Sequence, residues 1–180
     1  MVRLAKAGLA GNMTSLRTAV LLAATLTTGL AAGLFTSWAY SVMPGVGRAD
    51  DPTFVTAVQR MNEAILNGWF AVCFGGALVF GVLAALLHLG GPDRRALPWI
   101  VAGAVLYLAV VVVTMVVNVP LNNRLAAAGD ADRIPDIAAV RSAFEGAWVR
   151  WNVVRAVLST AAFGCLAWAL VLWGRATSVG

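Results

Sequence analysis

Asparagine is the residue type with which this chain could do chemistry. Seven are present, and six of them, Asn62, Asn67, Asn118, Asn122, Asn123 and Asn152, fall where four long apolar runs would share one end. Asn118 follows ten consecutive apolar or threonine residues. Asn118 and Asn122 stand four apart with Pro120 between them, and Asn152 and Arg155 stand three apart, with Trp148 and Trp151 expected on their face. Gln59, Asn62 and Glu63 share a face of an earlier segment, and Trp38 adds an aromatic wall from the first run. Amides, indoles and a guanidinium are N–H donors, and donors of this kind stabilise an oxyanion or enolate. Bases are scarce. The pattern suits a flat, hydrophobic, oxygen-bearing molecule delivered from a bilayer.

Each residue also has a purely structural use. Amides near span ends cap helices or bond across them. Arg155 can snorkel to headgroups, and Trp148 and Trp151 can anchor in the interface. If Arg155 is partly desolvated it needs an acceptor, which could be Glu63, Glu145, a carbonyl near Pro120 or a ligand oxygen. A polar cluster above an aromatic-lined apolar bundle is how ligand sites are built.

Other chemistries have little to work with. No nucleotide loop, nucleophile elbow or pair of helically spaced histidines is present. The one histidine, His88, ends the second apolar run and is expected to meet water at the interface. Cys73 and Cys165 lie inside apolar runs, where cysteine is a small hydrophobe. One histidine and two separated cysteines make no haem pair, di-iron site or zinc site, so neither metal nor other cofactor is expected.

The elements that must position these residues follow from composition. Hydrophobic residues make up 61% and charged residues 12% of 180, against about 45–50% and about 25% in soluble domains. Mean hydropathy is +0.84. One domain of this size could not hide that apolar surface from water, so the solvent is lipid. A secreted disulfide scaffold, a disordered tail and a soluble enzyme fold are excluded. The net charge of +5 comes from 13 scattered basic residues, twelve Arg and one Lys; they form no patch for nucleic acid. Arginine over lysine, with abundant Ala, Val and Gly, points to a GC-rich bacterial genome.

The runs are residues 18–43, 66–89, 97–119 and 153–173, broken by Pro44 and Gly45, by Gly90, Gly91 and Pro92, and by Pro120. Each can cross a hydrocarbon core that needs roughly 20 helical residues, and none holds an acidic residue. The first is too long for a signal h-region of roughly 7–15 residues. The chain therefore divides into a basic flank (1–17), one four-span domain (18–174) and a short tail (175–180). The expected fold is all-α, an integral membrane four-helix bundle with amphipathic interfacial helices in its outer loops. Arg3, Lys6, Arg17, Arg94, Arg95 and Arg175 concentrate in short segments on one side, so both termini are expected in the cytoplasm, in a cell inner (plasma) membrane. Outside, residues 52–66 put Phe54, Val58, Met61 and Ile65 on one face. Residues 134–155 put Ile137, Arg141, Phe144, Trp148 and Trp151 on one stripe, expected to lie along the interface and run into the fourth span. Thr25, Gly29, Gly33 and Ser37 form a small-residue strip usable inside the bundle or, through Gly29 and Gly33, by a second copy.

With these elements in place, NVPLNNRL (residues 118–125) and the W-x-x-W-N-x-x-R pattern of Trp148 to Arg155 resemble the anthrone-oxygenase-like family of small four-span membrane proteins. YSVMPG (residues 40–45) and QRMNEAILN (residues 59–67) are similar in style. The resemblance covers roughly residues 20–174. It implies an oxygenase that needs no cofactor and converts a hydrophobic aromatic anthrone to an anthraquinone with dioxygen, although many members have no known function. Carried over by motif, Asn118, Pro120, Asn122, Trp151, Asn152 and Arg155 are its candidates, with Gln59 and Asn62 beside them. The amides and Arg155 would stabilise an enolate. With no histidine on that side, the base would be Glu63, Glu145, Asp136 or water. The substrate is expected to enter between the first and fourth spans. The other reading is a non-enzymatic membrane protein, binding a lipid or quinone or serving as an accessory subunit.

Overall fold

The computed structural model describes residues 2–90 and 94–177. Gly91, Pro92 and Asp93, between the second and third spans, and residues 178–180 of the tail lie outside the described residues. Four helices are long and apolar enough to cross a membrane: α1 (Gly11–Val46), α3 (Gly68–Leu89), α4 (Leu97–Ala127) and α5 (Ile137–Thr177). Backbone helix continues from α1 back to Val2, through the basic flank. Helix α2 (Asp51–Ala64) links α1 to α3. The chain is thus an all-α, multi-pass membrane bundle. Helix α1 packs on α3 and α5, and α4 packs on the same two.

Burial is inverted relative to a water-soluble bundle. Large apolar side chains point outward, among them Leu26, Leu30, Val79, Leu86, Val105 and Val157, where lipid would meet them. Small and polar residues face inward. In α3 the buried line is Ala77, Gly81, Ala84 and His88. Small residues let helices approach closely. A Cβ added at Gly103 would stand 2.9 Å from Leu166, and one at Gly29 would stand 2.9 Å from the Phe163 ring. Gly33, by contrast, has nothing near it. The Gly29 half of the expected oligomer strip is therefore occupied by the chain's own α5.

Helix α5 is unbroken over 41 residues, about 60 Å at roughly 1.5 Å per residue and twice a hydrocarbon core of about 30 Å. The segment expected along the interface is therefore one helix with the fourth span. Its outer half is covered by α2, with Phe54, Val55 and Val58 packed with Phe144 and Trp148. The buried line of α5 runs Phe144, Trp148, Asn152, Arg155, Ser159, Ala162, Leu166, Ala169 and Trp173. It takes Asn152 rather than Trp151, so Trp151 falls off the stripe on which it was expected.

Two further expectations are corrected. Pro44 and Pro120 do not end their helices. Each follows a π-helical turn, Trp38–Val42 and Thr114–Asn118 respectively. A proline ring crowds the carbonyl four residues back and donates no hydrogen bond; the extra residue of a π turn relieves that crowding, and helix resumes. His88 is not at water but fully buried, its Nδ1 2.8 Å from the Ala84 carbonyl oxygen. It meets Trp173 edge-on at 4.7 Å between ring centroids, because its position continues the buried line of α3.

The connections at the asparagine-bearing end of the bundle are tied by Arg141. Its Nη1 donates to the Ala49 carbonyl and to Asp51 Oδ1, both at 2.9 Å, Nη2 to the Gly47 carbonyl at 2.7 Å, and Nε to Glu145 Oε2 at 2.7 Å. One guanidinium thus joins the end of α1, the start of α2 and α5. Asp50 caps α2 by accepting from the Thr53 N–H at 2.8 Å, and hydrogen bonding from the Thr53 side chain, then from its N–H, holds the carboxyl below the usual aspartate pKa. Replacing Arg141 with Met should cost about 1.5–3 kcal/mol, since charge-assisted bonds are lost. A clear fall in melting temperature in detergent is the expected reading, and an unchanged one would show that these connections are held elsewhere.

Candidate functional site

Three π-helical turns interrupt the bundle, and all three lie at the end where the amides collect. They are Trp38–Val42 in α1, Ala71–Gly75 in α3 and Thr114–Asn118 in α4. Such bulges are rare and concentrate at functional sites. Here they bring Trp38, Phe74, Thr114 and Asn118 to the walls of one cavity of about 290 Å³. Of the residues expected from sequence, Gln59, Asn62, Asn118, Asn122, Asn152, Arg155, Trp38 and Trp148 all line it, together with Asn123. Trp151 does not; it is 39% exposed on the outside of α5. Asn67 does not either: it caps α3, its Oδ1 accepting from the Phe70 N–H at 3.0 Å.

Arg155 forms the back of the cavity and is only 5% exposed. The expected carboxylate partners are absent. Glu145 is engaged by Arg141, and no ion pair from Glu63 or any other carboxylate to Arg155 exists among the described residues. Its surroundings are aromatic and amide instead. The guanidinium carbon lies 4.5 Å from the Phe35 ring centre and 5.3 Å from that of Trp148. Aromatic faces attract a cation electrostatically, and more strongly where water is excluded. Nη2 donates to Asn152 Oδ1 at 2.9 Å, and Nη1 is 3.5 Å from Thr114 Oγ1.

The amides divide into two sets. Asn152 is consumed internally: while its Oδ1 receives Arg155, its Nδ2 donates to the Phe35 carbonyl at 3.1 Å. It orients the guanidinium. Asn122 Oδ1 accepts from Trp148 Nε1 at 2.7 Å and fixes that indole, whose ring lies 5.3 Å from Trp38. Gln59 Nε2 donates to the Leu125 and Gly129 carbonyls, both at 2.9 Å, and straps α2 across the outer end of α4. The second set is unpaired. Asn62 Nδ2, Asn118 Oδ1 and Arg155 Nε are buried without a hydrogen-bond partner. Since buried polar groups are nearly always paired, two such donors and one acceptor carried by residues that line one cavity suit a ligand that accepts twice and donates once.

Sequence reasoning missed part of this wall. Phe35, Phe70, Phe74 and Thr114 line the cavity, but in sequence they are ordinary residues of apolar runs. Glu63 was one of three candidate carboxylates and is the one that lines it. No group of three or more His, Cys, Asp or Glu that could hold a metal ion occurs among the described residues. The expected entry between α1 and α5 is sealed by the Asn152–Phe35 bond, by Arg155 over Phe35 and by Phe163 against Gly29.

Fold and site together define a helical membrane protein with an amide- and arginine-lined cavity at one end of its bundle. Residues 68–165 match the family model described as anthrone oxygenase, and the chain belongs to that family. The matched stretch includes Asn118, Asn122, Asn152 and Arg155, but not α1 or α2. No curated protein and no solved structure matches the chain.

An unpaired buried acceptor has a thermodynamic signature. Leaving one unsatisfied costs about 1–3 kcal/mol, and the one bond Asn118 makes, from Nδ2 to the Trp148 carbonyl, is long at 3.5 Å. Asn118→Leu should therefore raise the melting temperature of the ligand-free protein in detergent. A fall of several degrees would mean that Asn118 holds the fold rather than the ligand.

Proposed function

We propose that this protein oxidises a hydrophobic aromatic substrate of the anthrone type with dioxygen, through an enolate held in the outer cavity. The observation that carries the reading is the set of unpaired buried atoms, Arg155 Nε, Asn62 Nδ2 and Asn118 Oδ1, on apolar and aromatic walls. A ketone oxygen accepts from the two N–H donors, and a phenolic hydroxyl beside it donates to Asn118. Membership of the anthrone oxygenase family supports the same substrate class.

Glu63 serves as the base. It removes one proton from the methylene carbon, and the electron pair moves onto the ring ketone to give the enolate. Arg155 stabilises that oxygen, and a positioned donor of this kind is worth about 2.7–4 kcal/mol in an acyl-transfer oxyanion hole. The enolate gives one electron to dioxygen, and the radical pair combines as a carbon–oxygen bond at the former methylene. Protonation yields a hydroperoxide. Loss of the remaining C–H proton and of hydroxide leaves the new ketone and one water. One dioxygen is consumed per substrate, and its two atoms end in ketone and water. Trp38 and Trp148, in contact with each other at 5.3 Å between ring centres, form one aromatic wall beside the substrate plane.

Purified protein in nanodiscs is tested with 1,8-dihydroxyanthrone, following oxygen uptake, and with 1,8-dihydroxyanthraquinone, following quenching of tryptophan fluorescence. Arg155→Ala and Asn118→Ala should stay folded but lose binding or turnover by at least about tenfold, roughly 1.4 kcal/mol. Glu63→Gln should bind the quinone normally and lose oxygen uptake. Binding without oxygen uptake in the unaltered protein would move the assignment to a lipid or quinone binder. Full function in both cavity variants would refute the site.

We infer a cell inner-membrane location with both termini cytoplasmic and the cavity in the outer leaflet, supported by the density of basic residues in the short inner segments. The test uses single cysteines in a background with Cys73 and Cys165 replaced by Ala. Asp132→Cys should label from outside intact cells and Arg94→Cys only after permeabilisation; the reverse pattern would invert the topology. Gly129 is avoided because its φ of +82° strains any side chain placed there.

A further inference from the structure

The walls of the cavity are not equally closed. Between α1 and α5 the Asn152–Phe35 bond and the Phe163–Gly29 contact shut the seam. Between α4 and α5, Trp148 bonds Asn122, and Leu166 fills the space beside Gly103. Between α1 and α3, Phe35 packs edge-on against Phe74 at 6.2 Å, and Gly76 lies against Thr27. Toward water the roof is strapped by Gln59 on the Leu125 and Gly129 carbonyls. A polar cleft lies behind that strap, lined by Arg60, Glu63 and Asp130 among others.

The seam between α3 and α4 differs. Its hydrogen bond, from the Tyr107 hydroxyl to the Phe74 carbonyl at 3.2 Å, lies at the floor of the cavity. Above it, Leu66 at the entry to α3 and Met115 on α4 both line the cavity, yet they are 78% and 56% exposed. A residue that is at once cavity wall and outer surface stands on a rim; away from this seam Glu63, Asn123 and Ala126 are likewise both, and form the rim's more polar side. Phe70 and Val119 complete the rim at this seam, and all four side chains there are apolar. The π turns Ala71–Gly75 and Thr114–Asn118 interrupt the two helices that frame it.

We propose that the ligand enters and leaves sideways through the bilayer, between α3 and α4, past Leu66, Phe70, Met115 and Val119. This rests on the reading of the cavity as a site for an apolar aromatic ligand. A substrate dissolved in the bilayer then reaches Arg155 without crossing water.

The test measures rates as well as affinity. Full-length protein in liposomes is mixed with 1,8-dihydroxyanthraquinone, and quenching of tryptophan fluorescence is followed by stopped flow. Leu66→Phe and Met115→Phe should slow association and dissociation alike by at least about fivefold, with Kd within about twofold, as gating without a change in the site requires. Leu66→Ala and Met115→Ala should speed both. Val157→Phe, on the lipid face of α5, serves as the control and should change neither. Unchanged rates in all four rim variants would overturn the portal while leaving the cavity reading intact. So would faster entry in Gln59→Ala alone. Absence of quenching in the unaltered protein would remove the cavity reading and the portal with it.

Discussion

One buried cation organises the outer half of this molecule. Arg155 is shielded from water, at the level of apolar helices, with no carboxylate paired to it among the described residues. Removing a charge from water is costly unless other groups replace hydration. Here Phe35 and Trp148 offer their ring faces and Asn152 an amide oxygen. Those residues are held in turn: Asn152 by the backbone of α1, and Trp148 by Asn122. Three helices, α1, α4 and α5, are therefore committed to presenting one guanidinium whose Nε still lacks a partner.

Arg141 shows what a satisfied arginine looks like in the same chain. It bonds two carboxylates and two carbonyls and lies over the Phe54 ring at 4.3 Å. Its bonding capacity is spent on joining segments. The two arginines stand fourteen positions apart on one helix, one completing the fold and one left open to a cavity. This difference, more than burial alone, separates a structural cation from one positioned for a ligand.

The π turns connect the fold to the site. A regular α-helix advances 100° per residue, so a side chain that faces the cavity at one turn drifts away over the next few. One inserted residue rephases the helix, and in α1 and α4 it also accommodates Pro44 and Pro120. Each of the three turns contributes lining residues to the cavity: Trp38 from the first, Phe74 from the second, and Thr114, Met115 and Asn118 from the third. The roof supplied by α2 completes it.

Much of this was legible in the residues themselves. Apolar length and the scarcity of charge dictate four spans, since lipid leaves a helix as the way to satisfy the backbone. Amides and an arginine at the run ends mark the cluster, because polar groups at that depth are costly enough to need a purpose. The family is carried by the local patterns around Asn118 and Asn152. Tertiary structure alone decided which groups remain unpaired. That Asn152 spends its amide on Phe35 and Arg155 while Asn118 keeps a free oxygen depends on neighbours from other helices, over 100 residues distant in one case. The same holds for Trp151, which shares the spacing of a cavity residue but loses its place when the buried line of α5 passes through Asn152. His88 likewise lies at a span end by sequence and inside the bundle by packing. Periodicity fixes a residue's angle around its own helix, and only the packed bundle fixes what stands opposite.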